Sequence, residues 1–353
     1  MSILLLILIL LITKESYFVK DETDARTKAL SKETTDGVRG LFVILVFMTH
    51  YVTYIPTGAY DTVYLDLRSH MGQAVVIPFL FYSGYGLFIQ YEKNGYSYLK
   101  KLAFERIPGT VMRFAIAVCC FWIIGILQGN VYPLKKVLLT FLAWDSMGNS
   151  NWYVFGIVGE YLIFLISYGI FAKEDMQDSK FSRGLSAAIT IYLSVLLVMW
   201  LRHMGRPDYC FNTLMMFPFG VICANLKKKL VRLPEWTCFL VSLIIYRVAF
   251  QNRFESLVWY TIWAATFMVI CIILSTKIKI DGGLIRFCSS HVFSIYILQR
   301  LPMNILDHIG WTKSSPYVCF FICMGVTGMI AVIFDLACNW ITTQGIYMLK
   351  HKY

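Results

Sequence analysis

The sequence predicts an all-α fold: a polytopic transmembrane helix bundle with about ten spanning helices and both termini cytoplasmic. Three observations carry that expectation. Of the 353 residues, 58% are hydrophobic and only 15% charged, where a soluble domain carries about 25% charged residues. Apolar runs long enough to cross a ~30 Å hydrocarbon layer recur along the whole length. Basic residues alternate between crowded and sparse connections, as the positive-inside rule requires of a multi-pass protein.

Taken in order, residues 1–35 form an apolar anchor followed by a charged cytoplasmic segment. Within them SILLLILILLI (2–12) is purely apolar but reaches only ~16 Å as a helix, short for a crossing. It lacks the basic n-region and small-residue cleavage site of a secretory signal. It is therefore expected to lie at the interface, with an eleventh span as the alternative. The membrane domain, 36–340, holds apolar runs at 40–57, 71–91, 108–128, 152–171, 186–201, 210–225, 233–249, 257–275, 287–305 and 316–338. Charge or turn signals bound each run. LKKVLLTFLAW (134–144) is expected to be a short surface or re-entrant helix on the outer side. Residues 341–353 form a short cytoplasmic tail.

With residue 39 placed inside, the inner segments hold 22 Lys and Arg and the outer loops seven. The net charge of +11 is thereby explained by cytoplasmic loops, and no nucleic-acid partner is expected. Ten cysteines sit mostly in apolar runs, without CxxC pairs or histidines at zinc spacing, so no metal site is expected.

Arg39 and His50 bracket the first run, in TTDGVRGLFVILVFMTH. Eleven residues on a helix is three turns plus about 20°, so the two share a face, with His50 ~16 Å deeper. A snorkelling helix end explains Arg39. It does not explain a histidine at mid-depth, because an intramembrane ionisable residue is costly unless it has work to do. Arg106 and Arg113, two turns apart, share a face at the same inner boundary as Arg39. Three guanidinium groups at one depth suit phosphates, which arginine grips in bidentate fashion. Glu160, Gln299 and Arg300 form a second polar layer near the depth of His50. Glu160 either pairs with Arg300 or orients His50. Ser83, in YSGYG, reads as a packing or substrate-lining serine. His70, His203 and His308 are outer-side loop residues by position, with an acceptor contact as the alternative.

The ordered motifs resemble the acyltransferase-3 family of bacterial integral-membrane O-acyltransferases. Asp36-Gly37-Val38-Arg39-Gly40 with a helix ending at His50 is similar to its first helix, which carries Arg, ten residues, then His. Phe81-Tyr82-Ser83-Gly84-Tyr85 resembles its aromatic-Ser-Gly-aromatic motif, and Arg106-Ile107-Pro108 with Arg113-Phe114 its basic third helix. Asn151-Trp152-Tyr153 is similar to its Trp motif, and Ser294-Ile295-Tyr296-Ile297-Leu298 to its late Ser/Tyr helix.

The resemblance spans roughly 36–300. It implies an O-acetyltransferase of the bacterial plasma membrane that moves an acetyl group from cytoplasmic acetyl-CoA to a glycan hydroxyl. The glycan would be extracytoplasmic or lipid-linked, such as capsule or exopolysaccharide. Arg39, Arg106 and Arg113 would bind the acyl-CoA phosphates. His50 would act as general base, with Glu160 as its catalytic partner, and Tyr82, Ser83, Trp152, Gln299 and Arg300 would line the substrate path. A polytopic transporter or exporter of a glycan or lipid-linked sugar is the alternative, although the matching broken helices of an internal repeat are not evident.

Overall fold

The computed structural model describes residues 1–19, 28–171, 180–230 and 234–350. Among them six helical stretches are long and apolar enough to cross a membrane: Lys32–Tyr54, Ala59–Leu127, Trp152–Gly169, Phe181–His203, Leu257–Lys277 and Pro316–Thr342. The all-α membrane bundle is therefore observed. Leu10, Ile123, Leu127, Ile166, Ile244 and Ile333 are exposed large hydrophobics, as expected of helices that face lipid.

The first helices are α1 (Ser2–Glu15), α2 (Lys32–Tyr51), α3 (Thr62–Met71), α4 (Ile77–Lys101) and α5 (Ile107–Leu127). Ser31 caps α2 by accepting from the Thr34 amide, the usual way to satisfy an orphan N–H at a helix start. Helix α2 is unbroken from Arg39 to His50, so both residues do ride one rod. Its glycines set its packing. A Cβ at Gly37 would sit 2.3 Å from the Ile280 carbonyl oxygen, and one at Gly40 would sit 2.3 Å from that of Ile285.

Helix α1 departs from the expectation of an interfacial anchor. The Met1 amine meets the Asp61 carboxylate, and Ser2 Oγ accepts from the Tyr64 amide, beyond the His50 end of α2. From there α1 runs to β1 (Ser16–Phe18), which pairs antiparallel with β2 (Ile278–Ile280) against the opposite end of α2. Met1, Leu4, Leu5 and Leu8 are buried along the way. Fourteen helical residues plus three extended ones cover about 30 Å, the full height of α2. Residue 1 consequently lies at the end of the bundle opposite Arg39. Length arithmetic on 2–12 alone missed the strand that completes the reach.

A second departure concerns residues 92–107, expected as an inner connection between the runs 71–91 and 108–128. They stay helical, broken only at Gly95, whose φ of 54° lies in the left-handed region that glycine tolerates. Tyr98, Leu99 and Leu102 are buried, which gives the segment a packed face. A π-turn at Leu102–Arg106 then feeds into α5, where Pro108 occupies the first turn and needs no amide partner.

The chain continues through α6 (Leu134–Phe141), α7 (Trp152–Gly169), α8 (Lys180–His203), α9 (Met216–Asn225), α10 (Glu235–Asn252) and α11 (Leu257–Lys277). Helix α6 is the short helix expected within 134–144. Helix α9 is short and crosses α4 at very close range. A Cβ at Gly84 would lie 2.1 Å from the Phe217 carbonyl oxygen, and one at Gly220 the same distance from that of Phe81. The run 287–305 is observed as three pieces, α12 (Gly283–Ser290), α13 (Val292–Leu298) and α14 (Arg300–His308), with a break at His291. Helix α15 (Pro316–Lys350) closes the bundle. Beyond the apolar layer, Lys279 is held charged more firmly than usual, chiefly because it hydrogen-bonds the Glu33 carboxylate.

Candidate active site: an arginine-lined cavity leading to His50

A cavity of about 650 Å³ opens at the Arg39 end of the bundle, and Arg39, Arg106 and Arg113 all line it. Two helices that are distant in sequence therefore bring the three guanidinium groups together. Tyr82 and Ser83 of α4 also line it, as does a stripe of α7 formed by Tyr153, Ile157 and Tyr161, residues spaced by one helical turn.

The three arginines are not equivalent. Arg39 is ion-paired with Asp36, one turn before it on α2. Arg113 Nη1 donates to Asp335 Oδ1 at 2.7 Å and its Nη2 to Asn339 Oδ1 at 2.6 Å. Arg106 donates instead to two hydroxyls, Tyr98 and Tyr161, each at 3.1 Å, and stacks 5.0 Å from the Tyr161 ring centroid. Among the described residues no carboxylate is ion-paired with Arg106, so its charge is the one left for a ligand. The expectation of three like phosphate grips is thus sharpened to one dominant cation and two compensated ones.

Asp335 is the functional residue that sequence reading missed. It gathers Arg113, Ser294 Oγ at 2.6 Å and His291 Nδ1 at 2.6 Å, tying α5, α13 and α15 together beside the cavity. The signal was available, since an aspartate within an otherwise apolar span is costly without partners. Tyr161 gave no such signal, because tyrosine is ordinary in a membrane helix.

The inner wall of the cavity ends at Tyr296. Its ring packs against Tyr153 at 5.1 Å between centroids and against His50 at 6.4 Å. His50 stands behind that wall, and its Nδ1 is buried without a hydrogen-bond partner. Arg300 lies 5.7 Å from the ring centroid of Tyr54, four residues beyond His50.

Other expected residues fall elsewhere. Glu160 is fully buried on the α8-facing side of α7 and accepts from Ser194 Oγ at 2.7 Å. No bond joins it to His50 or to Arg300, which corrects both expectations for it: it packs two helices together. Gln299 is fully buried and donates to the Tyr296 carbonyl, bracing the wall rather than lining the cavity. Trp152 packs on Tyr153 and Tyr209, also outside the lining. No family model matches this chain, and neither curated proteins nor solved structures offer a match. The chemistry rests on the cavity itself.

Proposed function

We propose that the protein is an integral-membrane acyltransferase, an O-acetyltransferase that passes an acetyl group from cytoplasmic acetyl-CoA to a glycan hydroxyl. In this reading ten helical spans surround the site, and the Arg39 end with the C-terminal tail faces the cytoplasm. The observation that carries it is the single cavity lined by Arg39, Arg106 and Arg113, whose inner wall, Tyr296, touches His50. Arg106 is the principal ligand for the phosphates of the donor, because a guanidinium without a carboxylate partner has charge to offer. The pantetheine arm then extends past Ser83 and Tyr153 toward Tyr296.

At the far end His50 acts as general base. Its ring nitrogen takes the proton of the acceptor hydroxyl as that oxygen attacks the thioester carbonyl. The carbon–sulfur bond breaks, and coenzyme A leaves as the thiolate, which recovers the proton. Arg300, over the ring of Tyr54 four residues beyond His50, supplies positive charge for the tetrahedral intermediate, which develops negative charge. Replacing His50 with Ala in a deletion host should reduce the rate of acetyl transfer to the glycan by about 10²–10⁴-fold, the usual worth of a general base. Acetyl content of the surface glycan reads the outcome. Wild-type acetylation at wild-type protein level removes His50 from the chemistry.

A further inference from the structure

We infer that a second cleft, at the His50 end of the bundle, binds a neutral, hydroxyl-rich saccharide unit and presents it to His50. The acceptor role rests on the acyltransferase reading above; the sugar-binding chemistry of the cleft does not. The cleft encloses about 380 Å³, within the ~300–1,000 Å³ typical of small-molecule sites. The end of α5, α6, the 146–148 turn and the end of α14 form its walls.

Its lining is chemically mixed. Gln128, Asn130 and Asn304 supply amides, which both donate and accept, as a sugar hydroxyl does. Lys136 and Asp307 contribute one charge of each sign and His308 adds an imidazole, so charge of neither sign dominates the lining as arginine does in the first cavity. Phe121 and Tyr132 add aromatic surface for the apolar face of a pyranose. This differs sharply from the first cavity, where arginine dominates.

Asn304 links the cleft to Tyr54, which follows His50 by four residues. Its Oδ1 accepts from the Tyr54 hydroxyl at 2.6 Å, and its backbone carbonyl accepts from Gln128 Nε2 at 3.3 Å. Gly148, with φ of 98°, lets the Asn304 amide nitrogen approach the turn, where a Cβ would stand 2.5 Å from it. Tyr54 lies four residues, about one helical turn, beyond His50 and under Arg300. The first cavity meets His50 at Tyr296, and the second meets, through Asn304, the Tyr54 that follows His50 in the chain.

The test uses the full chain in nanodiscs and a panel of methyl glycosides (glucose, galactose, mannose, rhamnose and N-acetylglucosamine) as probes. Saturation-transfer NMR is expected to detect at least one of them. Ile124→Trp, which fills the cleft, and Asn304→Leu, which removes its central amide, should each weaken that binding about tenfold or more, the worth of a lost hydrogen bond with an unsatisfied partner. Diazirine derivatives of the responding glycoside should label 121–136, 146–148 or 304–308 in the unmodified protein, a readout that no folding defect affects. Silence across the panel, or labels confined to other segments, overturns the assignment. Coenzyme A binding is measured in parallel. Glycoside binding without coenzyme A binding refutes the donor reading alone, and the converse refutes the saccharide cleft alone.

Discussion

The crossing of α4 and α9 offers the sharpest physical test, because two glycines there oppose backbone rather than side chains. At Gly84→Ala the new methyl would meet the Phe217 carbonyl oxygen at 2.1 Å, where ordinary contact begins at 3.4 Å, a shortfall of 1.3 Å. A carbonyl held in a helix cannot swing aside, so the helices must separate. Overpacking of this kind costs about 1–3 kcal/mol. Gly86 is the internal control, since a Cβ there meets nothing within 4 Å and Gly→Ala in a helix gains ~0.5–1 kcal/mol. Both substitutions share that helix gain, so the stability difference between the two variants isolates the clash. Equilibrium unfolding in detergent mixtures, followed by tryptophan fluorescence, should place Gly84→Ala about 1–3 kcal/mol below Gly86→Ala. Adding Gly220→Ala should cost less than its single-variant value, because one separation relieves both contacts. Equal stability of Gly84→Ala and Gly86→Ala would refute the close crossing. Because Tyr82 and Ser83 line the cavity, the same displacement should also weaken donor binding.

Three further outcomes follow from the charge arrangement. Arg106→Gln should weaken coenzyme A binding by roughly 10–100-fold, the range of a charge-assisted hydrogen bond, with Arg106→Lys intermediate; unchanged affinity by calorimetry would shift the donor site elsewhere. Ser194→Ala should cost ~1–3 kcal/mol by leaving the buried Glu160 carboxyl without its donor, with the transfer rate per folded molecule unchanged. A large rate loss at intact stability would return Glu160 to the chemistry. Asp335→Asn should lower stability by on the order of 3 kcal/mol through loss of its partly buried pair with Arg113. It should also tighten coenzyme A binding as Arg113 is released, and weaker binding at intact folding would show that Asp335 orients Arg113 instead.

The sequence by itself determined that this is a helical membrane protein, and that Arg39 and His50 share one rod. Hydrophobic length and the eleven-residue spacing suffice for both, because helix geometry is local. It also brought forward Arg106 and Arg113, since charged residues near an apolar run stand out against their surroundings. Only the tertiary structure decided which partners each arginine has, and that left Arg106 as the uncompensated cation of the cavity. It likewise moved Glu160 from His50 to Ser194, carried α1 across the bundle and made Asp335 a hub. The reason is physical. In a soluble helix the apolar stripe reveals the core face, but in a bilayer the lipid-facing and neighbour-facing sides are both apolar. Periodicity then says little about which helix meets which. The close approaches at Gly37, Gly40, Gly84 and Gly220, visible only once the chain is folded, supply that missing choice of neighbours.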